Sequence, residues 1–235
     1  MAASNRGSKK KLLDSKRKLI TKFDPKSPIS EQYRTIRTNI LFSSVDEEIR
    51  TIMVTSTGPG EGKSTTAANL AVVFAQQGKT VLLVDADLRK PTVHYTFNVL
   101  NTSGLTSLLT NQMSLMEAVQ SYDEKNLFIL PSGPIPPNPS ELLSSRAMQN
   151  FIEQALEEFD IILFDTPPVL AVTDAQILAN ICQGSVLVVS SGSTEKDALL
   201  KTKELLGGSN GKILGVVLNN KKQDKHSTYY YYGTK

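Results

Sequence analysis

The chain has 235 residues, of which 40% are hydrophobic and 21% charged, and its formal net charge is +3. This length accommodates one substantial α/β domain with tails and excludes two full domains joined by a linker. Its single cysteine, Cys182, excludes an internal disulfide framework, and its apolar neighbours predict a core position. No apolar run approaches the length of a membrane span. We therefore expect a cytoplasmic protein whose association with a membrane is either peripheral or provided by a partner.

Residues 1–29 are predicted to form a basic arm that is interrupted by Pro25 and Pro28. In its first 22 residues, lysines and arginines greatly outnumber the one acidic residue, Asp14. Such a cluster suits an anionic lipid surface or an acidic partner. A solvated tail explains it equally well.

A helix is predicted next, from Glu31 to Phe42, with Ser30 as its N-cap. Tyr33, Ile36 and Ile40 fall on one stripe of this helix, which is the pattern of a helix packed on a domain. The helix opens a single domain over residues 30–220.

A glycine-rich segment follows the first apolar strand and leads into a helix-compatible stretch, Thr66 to Gln77. Strand, glycine-rich turn, Lys-Ser and helix are the order that a phosphate-binding loop requires. Glycines in it are expected to adopt positive φ, so that backbone N–H groups and the helix N-terminus point at an anion. The expected nucleotide-binding residues are Gly58, Pro59, Gly60, Glu61, Gly62, Lys63, Ser64 and Thr65.

Lys63 would reach the β- and γ-phosphates, and Ser64 would ligate Mg²⁺. The match to GxxxxGK[ST] is imperfect, because Thr57 stands at the position of the first glycine. A glycine-rich turn without a ligand is the alternative interpretation.

The rest of the domain alternates apolar strands with helices. Several strands are continuous apolar runs, which is typical of strands covered on both faces. The pattern predicts a single P-loop NTPase-like α/β domain with a doubly wound, mostly parallel sheet. Its predicted strands are residues 50–55, 80–85, 127–130, 160–165, 184–190 and 212–218.

Acidic residues stand where two of these strands end: Asp85 and Asp87 after one, and Asp165 after another. Because open α/β sheets bind ligands beyond the carboxyl ends of their strands, these carboxylates should meet Lys63 at one edge. Asp165 is placed to hold Mg²⁺, one of Asp85 and Asp87 to help hold the metal, and the other to accept a proton. The alternative role for Asp85 is a helix or turn cap.

Two features lie further along the chain. Asn138, Pro139 and Glu141 predict a helix start with a capping box. Residues 221–235 form a predicted flexible tail that carries Tyr229, Tyr230, Tyr231 and Tyr232. Exposed aromatics on a basic tail also stack on single-stranded nucleic acid, but no other nucleic-acid feature accompanies them. A phosphoryl-transfer site beside a tail of phenols indicates that the tail is a substrate.

The chain resembles the bacterial tyrosine kinases (BY-kinases) of the Gram-positive type, in which the kinase is separate from its membrane adaptor. The resemblance runs from about Ser27 onward. Residues 58–65 resemble the family's Walker A motif, 81–87 its Walker A′ and 161–168 its Walker B. The terminal tyrosines resemble its autophosphorylation site. Glu31, Arg34 and Arg37 match a motif that mediates ring-like self-association in relatives, although i,i+3 pairing on the helix surface also explains them.

The resemblance implies a protein-tyrosine kinase that uses ATP and Mg²⁺ and that a transmembrane adaptor activates. It implies autophosphorylation in a ring-like homo-oligomer, further protein substrates and control of capsule or exopolysaccharide synthesis, with no need for nucleic acid. It also favours Asp85 as the base and Asn219 as a contact to the adenine.

Two rival interpretations remain at this point. One is a partitioning-type ATPase switch acting at a membrane or on DNA. Those relatives carry a signature lysine where this chain has Thr57. The other is a regulator that senses nucleotide without catalysis.

Overall fold

The computed structural model describes residues 19–43 and 48–221. Within these ranges, seven strands form one sheet in the order β3-β4-β2-β5-β1-β6-β7. All neighbours are parallel except β3 and β4. The strands are β1 (Thr51–Ser56), β2 (Val81–Asp85), β3 (Gln120–Ser121), β4 (Leu127–Leu130), β5 (Ile161–Asp165), β6 (Gly184–Ser190) and β7 (Lys212–Asn219). The predicted doubly wound, mostly parallel α/β fold is confirmed.

Helices connect the strands and cover both faces of the sheet. They are α1 (Ile20–Phe23), α2 (Pro28–Phe42), α3 (Lys63–Gln76), α4 (Val93–Phe97), α5 (Leu105–Leu109), α6 (Leu115–Ala118), α7 (Pro139–Leu143), α8 (Arg146–Glu158), α9 (Asp174–Ile181) and α10 (Lys196–Gly207). Within the described ranges, no helix is both long and apolar enough to cross a bilayer.

The sheet separates two hydrophobic cores. One face packs against α3, which is buried along most of its length, and against Ile40 of α2. The other face packs against α8 and α9, with Phe151 and Leu178 among the buried contacts. Because β1, β2 and β5 lie under both layers, their side chains are buried without alternation. Cys182 is buried in this second core, as predicted, and burial raises the pKa of its thiol.

Helix α2 begins earlier than the sequence predicts. Its N-cap is Ser27, whose hydroxyl accepts a hydrogen bond from Ser30 N at 3.2 Å, and Pro28 occupies the first turn. Proline suits that position because its φ is already helical and it lacks the N–H that would go unpaired. The Ser30 side chain is buried instead and donates to the carbonyl of Asp24 at 2.7 Å.

The predicted capping box at α7 is also different in the structure. Asn138 is the N-cap and Pro139 opens the helix, but Asn138 makes no side-chain bond to the helix backbone. Its amide donates to the Glu141 carboxylate instead. The two side chains therefore pair with each other rather than with the orphan N–H groups.

Part of the predicted basic arm packs on the domain. Leu19 and Thr21 are fully buried, and the Thr21 hydroxyl donates to Asn69 Oδ1 of α3 at 2.8 Å. Lys22 pairs with Asp123 at 2.9 Å and lies over the ring of Tyr122. The rest of the arm, residues 1–18, lies outside the described residues, and the division into arm, domain and tail stays a prediction.

Candidate active site

The sheet order brings the predicted catalytic side chains to one edge. Strand β5 lies between β1 and β2, with Asp165 in register with Val54 of β1 and Asp85 of β2. The loop from β1 to α3 and the acidic ends of β2 and β5 therefore share the carboxyl edge of the sheet.

The phosphate loop has the backbone that an anion site needs. Gly60 and Gly62 have φ of 79° and 98°, in the region that glycine adopts without strain. Gly58 is not in this region, so the expectation of positive φ is wrong for that residue. Helix α3 begins at Lys63 directly after Gly62, with no side-chain cap. Its first N–H groups are thus left for a ligand, and its dipole favours a negative one.

Asn219, at the end of β7, lies against this loop. Its amide donates to the carbonyl of Glu61 at 2.9 Å, and a Cβ on Gly62 would come within 2.1 Å of the same amide nitrogen. Asn219 thus packs on the phosphate loop. Position 62 favours glycine for its φ, and a Cβ there would also push the Asn219 amide away from the carbonyl of Glu61. Contact of Asn219 with the adenine stays a prediction.

Lys63 is the hub of the acidic edge. Its Nζ lies 3.0 Å from Asp87 Oδ2, 3.4 Å from Asp165 Oδ1 and 3.2 Å from Ser64 Oγ. The Asp165 side chain is fully buried, and those of Lys63 and Asp87 are nearly so. The structure therefore brings together the residues for which the sequence predicted phosphate, metal and catalytic roles.

Negative charge exceeds positive charge at this edge, because one lysine faces three carboxylates. Burial lowers the pKa of Lys63, but the charges of Asp165 and Asp87 more than offset this, so its pKa is raised. Burial raises the pKa of Asp85 to about 8, and the charge of Asp165 adds to the effect. Burial also raises the pKa of Asp165, against the opposing charge of Lys63. The site is short of positive charge.

The donor set fits a magnesium ion. Asp165 Oδ2 and Asp85 Oδ1 are both buried and have no hydrogen-bond partner, which is costly for a carboxylate unless a ligand or cation engages it. In the described part of the chain, no three His, Cys, Asp or Glu side chains are arranged to hold a metal by themselves. Mg²⁺ takes one or two carboxylates and completes its shell with phosphate and water oxygens, so the two unpartnered carboxylate oxygens are ligands of the kind that it prefers.

Asp85 and Asp87 also fix the segment that follows β2. Asp85 Oδ2 accepts from Thr92 N at 3.0 Å and from Val93 N at 2.9 Å, where α4 begins. Asp87 Oδ1 accepts from Lys90 N at 3.0 Å. The turn-cap alternative for Asp85 is therefore present in the structure, and it leaves the other oxygen of this carboxylate free.

Two polar contacts near the site were not apparent from the sequence. Arg89, which stands just after the acidic pair, forms two hydrogen bonds with Asp174 at the start of α9. Glu61 points back into the phosphate loop and accepts from the N–H groups of Thr57 and Gly58. The first contact depends on the tertiary fold, and the second depends on the shape of the loop. The spacing of sequence motifs predicts neither.

The remaining predicted site residues lie away from this edge. Glu31 and Arg34 form an exposed i,i+3 pair on α2, and Arg34 also donates to the carbonyl of Pro25 at 2.8 Å. Arg37 donates to the carbonyl of Val73 in α3 at 2.8 Å. The predicted phosphorylation sites Tyr229, Tyr230, Tyr231 and Tyr232 lie outside the described residues.

Comparison with known proteins identifies relatives of this site. Residues 49–198 match a family described as AAA domain. The chain is 59% identical to the tyrosine-protein kinase YwqD of Bacillus subtilis (strain 168) over 231 aligned residues. These residues make up 98% of this chain and 95% of that protein.

Solved structures agree. The chimerical protein CapA2B2 superposes with a TM-score of 0.85 at 48% identity, covering 88% of this chain and 91% of that one. The kinase domain of the Escherichia coli tyrosine kinase ETK superposes with a TM-score of 0.83 at 32% identity, and the match covers 92% of this chain and 84% of that one. The chain therefore belongs to the bacterial tyrosine-protein kinases, ATP-binding enzymes built on an AAA-type P-loop domain.

Proposed function

We propose that this kinase transfers the γ-phosphoryl group of ATP to the tyrosines of its own C-terminal segment, Tyr229, Tyr230, Tyr231 and Tyr232. The observation that carries the proposal is the acidic edge around Lys63. There, buried carboxylate oxygens without partners lie at the same edge of the sheet as Lys63, the first residue of the uncapped helix α3, and the same sequence contains a run of phenols near its end.

In this proposal, phosphate oxygens displace the carboxylates from Lys63, and the backbone of residues 58–65 cradles the triphosphate. Ser64, Asp87 and Asp165 would hold Mg²⁺, which neutralises charge on the phosphates when bound. The phenol oxygen forms a bond to the γ-phosphorus while the bond from that phosphorus to the oxygen of ADP breaks. The phenol proton goes to Asp85, whose Oδ1 has no other partner.

We further propose a cytoplasmic kinase that is recruited to the inner face of the membrane by a transmembrane adaptor and that regulates capsule or exopolysaccharide synthesis. One of the similar solved proteins, CapA2B2, is a chimera, which supports a two-component arrangement. Contact with the membrane is indirect in this scheme, and further protein substrates are phosphorylated on tyrosine.

Self-association would use the motif of Glu31, Arg34 and Arg37 on α2. Each added phosphate carries about −1.5 to −2 charges, so a phosphorylated tail should loosen packed protomers by repulsion. Sizing the protein before and after phosphatase treatment tests this step. An oligomer of unchanged size would count against it.

The transfer itself is tested with labelled ATP, Mg²⁺ and a candidate adaptor tail. We expect label on tyrosine, and loss of label in Lys63→Met and in a variant with phenylalanine at positions 229–232. Tyr95→Phe is the matched control, because Tyr95 is a tyrosine with 68% exposure outside the tail, and it should keep full labelling. Hydrolysis of ATP without labelled protein would favour the partitioning-type ATPase switch instead. Binding of ATP without either reaction would favour a nucleotide sensor.

A further inference from the structure

Glu61 is a buried carboxylate inside the phosphate loop, and the reaction described above gives it no role. Its side chain is 7% exposed. One carboxylate oxygen, Oε2, accepts from Thr57 N at 2.8 Å and from Gly58 N at 3.2 Å. The other, Oε1, accepts from the hydroxyl of Thr194.

The two N–H groups that donate hydrogen bonds to Glu61 lie at the start of the loop, next to the end of β1. Buried N–H groups need a partner, and a loop that must stay open for a ligand cannot supply one from a regular ladder. Glu61 supplies it from within the loop, three to four residues further along the chain. Its carboxylate thereby closes the first half of the loop on itself.

Contacts beyond the loop extend this arrangement to two strand ends. Ser190 is the last residue of β6, and its N–H donates to Thr194 Oγ at 2.8 Å. The backbone carbonyl of Glu61 accepts from Asn219, the last residue of β7, at 2.9 Å. Ser191 N in turn donates to the carbonyl of Asn219 at 2.8 Å. The phosphate loop is thus tied to β6 and β7 through one residue.

The charge of Glu61 opposes the ligand, since a carboxylate beside bound phosphates repels them. What the side chain provides instead is acceptor geometry, with each of its oxygens engaged. Charge and geometry can be separated by substitution, because glutamine keeps the shape of glutamate and loses its charge.

We propose that Glu61 is a positioning residue, which holds the phosphate loop in its nucleotide-binding shape through the N–H groups of Thr57 and Gly58 and through Thr194. The inference rests on the nucleotide site of the proposed function and gives the side chain of Glu61 a role that it exerts through the loop backbone rather than on ATP itself.

The test compares the affinity for ADP with Mg²⁺ in wild type, Glu61→Ala, Glu61→Gln and Thr194→Val. Alanine removes all three contacts, and we expect the Kd to rise at least about tenfold. The side-chain carbonyl oxygen of glutamine can accept hydrogen bonds from both N–H groups, and its NH₂ group can donate one to the hydroxyl of Thr194. Its Kd should therefore stay within about threefold of wild type. The Kd of Thr194→Val should fall between those of Glu61→Gln and Glu61→Ala.

Thr202→Val is the matched control. The Thr202 hydroxyl is fully buried and donates to the carbonyl of Ala198 at 2.9 Å, a hydrogen bond that stays within α10 instead of reaching the phosphate loop. It should bind ADP within about twofold of wild type. Thermal unfolding of each variant is recorded alongside, and affinities are measured where all are folded. A purely structural Glu61 would lower the unfolding temperature and leave the Kd unchanged.

The outcomes separate this inference from the proposed function. If Glu61→Ala binds ADP as tightly as wild type, or if Glu61→Gln loses as much affinity as alanine, the positioning role is wrong. If wild type binds ADP and the variants follow the expected order, but no tyrosine is labelled from ATP, the proposed transfer fails and the role of Glu61 stands. Absence of ADP binding by wild type would overturn both.

Discussion

Asp165 and Asp174 are two fully buried carboxylates of the same domain with opposite surroundings. Asp165 shares Lys63 with Asp87, and its Oδ2 has no partner. Both oxygens of Asp174 pair with Arg89, whose Nε lies 2.9 Å from Oδ2 and whose Nη2 lies 3.0 Å from Oδ1. The hydroxyl of Ser140 adds a third bond at 2.7 Å.

The difference separates a ligand site from a structural contact. A buried charge with complete hydrogen bonding stabilises the arrangement of the elements around it, here the start of α9, α7 and the loop after β2. A buried charge left short of partners costs free energy until a ligand arrives. Burial alone does not distinguish the two residues, whereas their hydrogen bonds do.

Exchanging each acid for its amide gives the largest expected effect. Asp165→Asn removes a proposed metal ligand, so we expect the rate of tyrosine labelling at saturating ATP and Mg²⁺ to fall at least about a hundredfold. Asp174→Asn should stay within about threefold of wild type, because it touches neither the phosphate loop nor Lys63. Equal losses in the two variants would contradict the distinction.

The same two variants should change stability in opposite directions. A carboxyl group whose pKa is higher in the folded than in the unfolded protein reduces stability at every pH above its pKa in the unfolded protein. Asp165→Asn should therefore raise the free energy of unfolding of the nucleotide-free protein at pH 7. Asp174→Asn should lower it by about 2 kcal/mol, because an amide cannot accept both bonds from Arg89.

Denaturant titration of the nucleotide-free protein measures both changes. Asp123→Asn is the surface control, since this carboxylate is 86% exposed in its pair with Lys22, and it should change stability by less than about 0.5 kcal/mol. A loss of stability in Asp165→Asn would show that Asp165 is already satisfied without a ligand.

The sequence predicts the sheet well because its signals are local. Each of the six predicted strands agrees with an observed one to within one residue at either end. Strand β3 escapes prediction because two residues show no periodicity. The meeting of Lys63 with Asp87 and Asp165 also follows from the sequence, since the carboxyl ends of parallel strands share one edge.

The satisfied carboxylates could not be predicted in the same way. Glu61 and Thr194 are 133 residues apart, and Arg89 and Asp174 are 85 apart. Their pairing depends on where whole elements come to rest, which neither spacing nor residue type encodes. Arg89 shows the consequence, because its place after the acidic pair fits a phosphate contact as well as the ion pair that the structure contains.

Arg89→Lys tests the geometry of the satisfied pair with a smaller change. Lysine keeps the positive charge and loses the planar fork that bonds both oxygens of Asp174. Because Arg89 is about 39% exposed, water screens part of the pair, and we expect a loss of about 1 kcal/mol in the free energy of unfolding. Arg146→Lys, at an exposed position on α8, is the control and should have no measurable effect. Affinity for ADP should be the same in both, and a weaker affinity in Arg89→Lys alone would tie this pair to the phosphate site.

Glu31→Ala should give the smallest effect and sets the lower end of the comparison. Glu31 is 65% exposed, pairs with Arg34 at i,i+3 and lies in the first turn of α2. Pairing and the helix dipole each contribute a few tenths of a kcal/mol at such a site, so we expect a loss of about 0.5 kcal/mol. The difference from wild type should shrink at about 1 M salt, where exposed charges are screened, whereas the loss in Asp174→Asn should persist. A loss in Glu31→Ala as large and as insensitive to salt as that of Asp174→Asn would mean that exposure does not set the value of a carboxylate in this protein.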